Sequence, residues 1–540
     1  RDRSSSLTDS STLLSVSLVA SGSANSQYGF FTPDTLGLTS TPGKINGASF
    51  APSRLGPVRF SHSRGTYTAT FPLTLTPPET DSTIRYTVDG SVPTAEHGEI
   101  YSTPVTISKT TVLRVAAFRS GSKPGPVSTT TFLFPTDIIR QSADGKPPGP
   151  NWPASNVNGQ VVDYGMDQRI VNSINPEEGG KDAVIAALNA IPSLSLVTDL
   201  ESLFNPASGI WVNPYNRGLA WERSASIELL NDPLHPARGF QSDCGIRIRG
   251  GFSRSTDNPK HALKFYFRDT YGGPLRYPLF GDQGASYFEQ IDLRTAQNYS
   301  WSFGGDGNNT FIREEITREI QGAMGHPHAR GRDFHLFING QYWGLYNLDE
   351  RTEASFAATY LGGKKADYDA IKTEQDAGYS TGVNDGNLDA WTQLFEQSKS
   401  LRDTPSNAAY FALQGLKPDG VTPGDTPTLL DVDNLIDYML LTFWTGNLDG
   451  CTSAFLGDNN ANNWSSVRDR TGKRGFIFFA HDFEHSFFDL YQDRTGPFET
   501  ANRDQLAYSN PMFIHHNLRT NDEYRMRWAD RVQMHCFGKG

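Results

Sequence analysis

Phe476-Ile-Phe-Phe-Ala-His-Asp-Phe-Glu-His485 is an apolar run that ends in two carboxylates and two imidazoles. Its apolar part, Gly475–Ala480, reads as a short buried strand. Beyond it, Asp482 and Glu484 stand at i and i+2, positions that share a face in an extended chain. Carboxylate oxygens on one face suit a hard cation, magnesium or manganese. The same letters contain His481-x-x-Glu484-His485, an inverted zinc-protease spacing. That reading needs a helix to align its three positions, and zinc hydrolysis is carried as the third functional alternative.

Working outward, Asp433–Trp444 has helical spacing, with Leu435, Ile436, Met439, Leu440 and Phe443 on the buried face. It leads into Asn447-Leu-Asp449-Gly450, a loop placed to present a carboxylate to a cleft, with a capping turn as the structural alternative. Asn462-Asn463-Trp464 adds amide oxygens, which serve cations as well as turns. Arg247-Ile-Arg-Gly-Gly-Phe-Ser-Arg254 ends a strand in two glycines, where backbone N–H groups can approach a phosphate closely. In Pro259-Lys260-His-Ala-Leu-Lys264 and the residues after it, strand geometry puts Lys260, Ala262, Lys264 and Tyr266 on one face. Leu263, Phe265 and Phe267 then fill the other face, and a solvated strand is the bland alternative. Thr310–Met324 reads as an amphipathic helix with Phe311, Ile312, Ile316 and Ile320 inward. Phe334–Ile338 and Tyr342–Leu348 read as a hairpin across Asn339-Gly340, and Asp385–Lys399 as a further helix.

A glycine strand with lysines, a helix, a hairpin, a buried helix leading to an Asp loop, then a strand ending in carboxylates: this is the order of a protein-kinase-like phosphotransferase. Asp449 takes the catalytic-loop position and Asp482 the metal position. The usual His-Arg-Asp and Asp-Phe-Gly strings are absent, which excludes an ordinary protein kinase.

Over about residues 160–500 the chain resembles the CotH family, atypical kinases named for spore coat protein H. The resemblance rests on Cys244-Gly-Ile-Arg-Ile-Arg-Gly-Gly, Pro259-Lys260, Phe311-Ile-Arg313, Leu336-Phe-Ile-Asn-Gly-Gln-Tyr-Trp-Gly-Leu-Tyr346 with Glu350, Asn447-Leu-Asp449 and His481-Asp-Phe-Glu484. It implies ATP-dependent phosphorylation of protein Ser or Thr residues with Mg2+ or Mn2+. Asp449 is then the catalytic base or brace. Asp482, Glu484 and Asn463 are the metal ligands. Arg249, Gly250, Gly251, Ser253, Lys260, Lys264 and Glu350 form the nucleotide site, with Lys260 preferred over Lys264 for the phosphates. Glu315 or Glu319 is the partner of that lysine. The family often has Trp-Asp-Phe-Asp where this chain has His481-Asp-Phe-Glu484. The Asn expected soon after Asp449 is missing, Ala454 lying near that place, and Asn462 or Asn463 is the candidate replacement.

Residues 1–57 are rich in Ser, Thr and Gly and read as a linker or the remnant of a preceding module. Residues 58–135 carry short alternating runs: Tyr67, Ala69, Phe71, Leu73 and Leu75, then Ile84, Tyr86 and Val88 before the Asp89-Gly90 turn, then Thr110–Phe118 and Val127–Phe134. That pattern is a small β-sandwich. Tyr86-Thr-Val-Asp-Gly-Ser-Val-Pro-Thr94 resembles the immunoglobulin-like module at the C-termini of chitobiases and hexosaminidases. Residues 136–160 form a linker. The fold class is therefore multidomain: a small all-β sandwich followed by a large α+β atypical protein-kinase-like domain over 161–540.

The chain has 540 residues and a net charge of −11, which argues against nucleic acid as a partner. No apolar run reaches the roughly 18 residues of a membrane helix, and the short, Ser-rich Leu13–Ala20 is not read as a signal peptide. Cys244, Cys451 and Cys536 lack metal-ligand spacing and allow at most one disulfide. The expected partner is a protein acceptor, in particular a Ser/Thr-rich one, with further surface partners through the sandwich. Module company places the chain as secreted or at the cell surface. The alternative is a surface adhesin or structural protein on a pseudokinase scaffold.

Overall fold

The computed structural model describes residues 53–540 apart from 176, 237–238, 296–297, 299–309, 497, 499–500 and 539–540, together with three two-residue strands between 40 and 49. The linker or module-remnant expectation for residues 1–57 falls largely outside the described residues.

The sandwich sets a five-stranded sheet, Gly65–Thr66, Ser128–Leu133, Thr111–Phe118, Thr83–Thr87 and Glu99–Ile100, against two short strand pairs. Leu73, Leu113, Val115, Ala117 and Phe132 fill its core. The run from Thr66 to Leu75 is not one strand. It divides into Gly65–Thr66, Phe71–Leu73 and Leu75–Thr76, which belong to different sheets. Phe71, Leu73 and Leu75 face the core, while Tyr67 and Ala69 lie on the crossing segment. Val88 is exposed because its strand ends at Thr87, whose side chain turns inward.

Seven strands then close into a barrel: β1 Ser193–Val197, β2 Arg223–Leu230, β3 Phe240–Ile248, β4 Leu263–Tyr266, β5 Gln290–Thr295, β6 Gly331–Ile338 and β7 Gln341–Asp349. The spatial order is β1-β2-β3-β4-β5-β7-β6, and a parallel β6–β1 pairing completes the circle. Leu196, Leu229, Ile246, Leu263, Phe265, Leu293, Phe334 and Leu336 fill the interior, so the barrel is a packed core. The β6–β7 hairpin turns on Asn339 (φ 45°) and Gly340 (φ 80°), the pair of positive φ values a type I′ turn requires. Its tip rests on the sandwich, where Asn339 Nδ2 donates to the Asp89 carbonyl at 3.3 Å.

The remainder is a second lobe. A four-stranded antiparallel sheet has the order β9 Ser380–Asp385, β8 Tyr368–Glu374, β10 Ser465–Asp469, β11 Ile477–Phe479. Helices α3 Asp389–Asp403 and α4 Val432–Trp444 pack on one face through Trp391, Leu394, Leu435, Ile436 and Met439. α2 Ala354–Leu361 packs on the other through Phe356. The Asp431 side chain caps α4 by accepting the Asn434 N–H. α3 begins four residues later than its periodicity suggests, because Asp385 still closes β9 and Gly386 (φ 78°) makes the turn.

Helix α1, Arg313–Ala323, meets the expectation for its faces only at Ile320, which packs against the core of the second lobe. Ile312, just before it, and Ile316 are exposed, while Glu314, Thr317, Arg318 and Gln321 are buried. The wall it faces is polar. Gln321 bonds the carbonyl of Phe478 and the N–H of Ala480 at 2.8 and 3.0 Å, and Arg318 meets Asp349 at 2.6 Å. A helix that covers a strand edge and a charged turn must send polar side chains inward.

All three cysteines are free, with Cys244 in the barrel core and Cys451 in that of the second lobe.

Candidate functional site

A cleft of about 960 Å³ opens between the mouth of the barrel and the second lobe. Its lining brings together Arg249, Gly250, Gly251, Ser253, Lys264, Glu350, Asp449, Asn463, Asp482 and Glu484.

One wall is acidic. Past the end of α4, Asn447 Oδ1 accepts the Asp449 N–H at 3.0 Å. The Asp449 carboxylate accepts from the Ser453 hydroxyl, from Asn462 Nδ2 at 2.8 Å and from Asn463 Nδ2 at 2.9 Å. The amide pair is held in place by Trp464, buried and stacked on Trp391 of α3 at 4.8 Å. Burial pushes Asp449 up to about 6, with the Asp482 charge adding to it against the three donors. Asn462 Oδ1 is buried without a hydrogen-bond partner.

The turn after β11 supplies the other carboxylates, by a route different from the extended one. Asp482 has φ +60° and starts a single 3-10 turn, Phe483–His485. The i, i+2 argument for a shared face therefore fails, yet both side chains reach one guanidinium. Arg294 of β5 contacts Asp482 directly and lies 3.6 Å from Glu484. Glu314 of α1 accepts the N–H groups of Asp482 and Phe483 and also meets Arg294 and Arg318. Against burial, Arg294 holds Asp482 well below the usual carboxylate range. Burial, with Asp482 beside it, pushes Glu484 up to about 8. The three-residue turn also denies His481, Glu484 and His485 the helix that a zinc motif needs. Among the described residues no three His, Cys, Asp or Glu side chains are grouped to hold a metal by themselves.

The barrel side of the lining pairs cations with carboxylates. Arg249, just past β3, and Arg351, just past β7, both meet Asp292 of β5 at 2.7 Å. Glu353 joins Arg351 and lies 3.7 Å from Lys264 of β4. Burial, followed by the Arg351 charge, lowers Lys264 to about 8. Glu350 accepts from the Tyr360 hydroxyl and the Arg330 N–H, and burial raises it.

The glycine loop spans the mouth. Gly250 has φ +96°, and a side chain on Gly251 would collide with Gln375 from the second lobe. Arg254 pins the loop from beneath through the carbonyls of Gly250 and Ile248 at 2.5 and 2.6 Å. Ser253 is buried, and its hydroxyl donates to the Arg249 carbonyl at 3.2 Å.

Lys260 is a correction. Its Nζ donates to the Asp163 carbonyl at 2.8 Å and sits over the Trp343 ring, away from the cleft lining. β4 begins only at Leu263, so the alternation placing Lys260 and Lys264 on one face never applies. The lysine's partner is corrected too. Glu315 bonds Asn347, Glu319 is mostly exposed beside His328, and the carboxylate near Lys264 is Glu353.

Sequence reasoning missed Arg294, Glu314, Asp292, Arg351 and Glu353. A signal existed for the strand pair: Ile291 and Leu293 alternate with Asp292 and Arg294. Glu314 carried none, because it sits on the face that periodicity assigns to solvent.

A two-lobed molecule with a charged cleft between barrel and helical lobe, preceded by a β-sandwich, is the class that fold and site define. The chain belongs to the CotH kinase protein family, which matches residues 246–537, more than half of it. Residues 62–129 match the chitobiase/beta-hexosaminidase C-terminal domain. Among curated proteins it is similar to invasin CotH3 of Rhizopus delemar, 25% identical over 300 residues, covering 51% of this chain and 48% of the relative. It is also similar to invasin CotH2 of the same organism, 26% identical over 314 residues, covering 51% of each. The chain thus spans about half the length of these curated relatives. No described helix is long and apolar enough to cross a membrane.

Proposed function

We propose that the protein is an atypical Ser/Thr protein kinase with a kinase-like two-lobed domain, transferring the γ-phosphate of ATP to secreted or cell-surface proteins. One observation carries this reading: Arg249, Lys264 and Arg351 line the same cleft as Asp449, Asp482 and Glu484. Such a lining suits a polyphosphate with a cation beside it.

The residues fit a hard divalent ion. Asn462 Oδ1 is buried without a partner, and Glu484 is driven toward protonation beside Asp482. Magnesium sites commonly use one or two carboxylates with substrate phosphates and water, not a full protein cage. Asp482, Glu484 and the Asn462–Asn463 amides are the candidate ligands. When bound, Mg2+ or Mn2+ supplies charge neutralisation at the phosphates. Lys264, kept in place by Glu353, and Arg249 hold the phosphates, the Gly250–Gly251 loop covers them, and Glu350 stands beside the nucleotide. Asp449 accepts the proton of the acceptor hydroxyl. The acceptor oxygen bonds the γ-phosphorus as the bond from that phosphorus to the β,γ-bridging oxygen breaks, and ADP leaves.

The test is labelled ATP with a Ser-rich acceptor, comparing the wild type with Asp449→Ala. Label on the acceptor that disappears in the variant is expected. Folded wild type that neither binds ATP with Mg2+ or Mn2+ nor labels any acceptor rejects the proposal.

The name invasin on both relatives favours a second reading, a surface adhesin on a pseudokinase scaffold. It predicts partner binding that survives Asp449→Asn unchanged.

A further inference from the structure

The loop that holds Asp449 also builds the rim of the cleft, and that rim is apolar. Ser453 bonds Asp449, and two residues on, Phe455 lines the cleft while remaining 61% exposed. Its ring packs edge-on against His485 at 5.0 Å. The chain runs from His485 to Phe487, whose N–H bonds the Thr445 carbonyl at 2.8 Å. The Phe487 ring meets Trp444 edge-on at 5.4 Å, and Trp444 is 65% exposed. The turn that follows leans over Gly446, where an added Cβ would lie 3.1 Å from Gln492. It leaves Leu490 99% and Tyr491 91% exposed. Large apolar side chains held open to water on neighbouring turns beside the cleft mark a binding surface.

We propose that Trp444, Phe455, Phe487, Leu490 and Tyr491 dock the acceptor polypeptide, which therefore carries apolar side chains within a few residues of its Ser or Thr. The inference rests on the phosphotransfer reading above. An acceptor hydroxyl at Asp449 sets the adjoining residues of an extended chain, at about 3.3 Å per residue, along Phe455 and onward over Phe487 and Trp444. Asp489 and Asp493 flank the exposed turn, while the Arg313 guanidinium lies over the Phe488 ring at 4.2 Å, so the surface selects by apolar contact and not by charge.

The experiment uses two peptides that differ only in the flanks of one Ser: Leu and Phe in the first, Gln in the second. Transfer is expected to be at least tenfold more efficient to the first. Trp444→Ala with Tyr491→Ala erases that preference and leaves the KM for ATP unchanged. In parallel, the first peptide with Ala in place of Ser is titrated by calorimetry into wild type and double variant, with binding to the wild type alone expected. Equal transfer to both peptides, or binding that ignores the double variant, overturns the docking proposal and leaves the kinase reading intact. Binding to the ledge without any transfer supports the docking surface and rejects the kinase reading. A dimer that dissociates in the double variant assigns the ledge to a second copy and overturns the proposal.

Discussion

Glu314 on α1 accepts the main-chain N–H of Asp482 at 3.0 Å, and with it the N–H of Phe483. One helix carboxylate therefore fixes a left-handed residue (φ +60°) at the end of a strand, a conformation uncommon outside glycine that Asp tolerates better than most. Arg294 and Arg318 balance the charge of Glu314 and extend the contact to Asp349 at the end of β7. The position of Asp482 is thus coupled to the barrel wall.

Glu314→Gln keeps an acceptor but removes the charge that Arg294 and Arg318 share. Loss of about 1 Å of precision at a reacting group costs roughly 100-fold, and kcat is expected to fall by that order with near-native circular dichroism. Unchanged kcat at saturating Mg2+ rejects the positioning role.

Lys260 and Lys264 separate cleanly. Lys264→Ala removes a charge-assisted contact and weakens ATP binding about 10-fold to 100-fold by calorimetry. Lys260→Ala leaves ATP affinity untouched and lowers stability by about 1–2 kcal/mol, through loss of the Trp343 and Asp163 contacts. Reversed outcomes restore Lys260 to the site.

Asp449, held up at about 6, accepts a proton only when ionised. kcat/KM is expected to fall as pH drops below about 6, and an activity profile that stays flat to pH 5 shows that another group is the base.

Glu228 gives a stability effect of defined sign. It is buried where the sandwich meets the barrel, bonded by Thr131 and 3.1 Å from Arg64. Burial raises it to about 7 in the folded chain, from 4.5. A raised folded value stabilises at pH below 4.5, and that contribution, of order 3 kcal/mol, is lost as pH rises through 7. The Tm of the wild type should fall between pH 5 and 8 more steeply than that of Glu228→Gln. Parallel curves exclude Glu228 as the cause.

Gly251→Val sets a side chain against Gln375. It is expected to displace the Gln375 side chain and the glycine loop and raise the KM for ATP at little cost in Tm, because the atom met first is the end of a flexible side chain. Wild-type kinetics in this variant mean that the loop does not close on Gln375 in solution.

By itself the sequence determined the features with local causes. The sandwich follows its short apolar runs and turns, although one run divides among three sheets, the β6–β7 turn follows Asn339-Gly340, and the α4 helix follows its periodicity. The Asp449 loop and the Asp482 turn were legible as chemistry because carboxylates after buried elements stand out. Tertiary structure alone decided what depends on partners distant in the chain. It closed the barrel by pairing β6 with β1, turned the polar face of α1 inward, and put Glu353 beside Lys264. It also took Lys260 out of the cleft and brought Arg294 to both Asp482 and Glu484. A charge follows its partner, and the partner's position is set by packing that no sequence window contains.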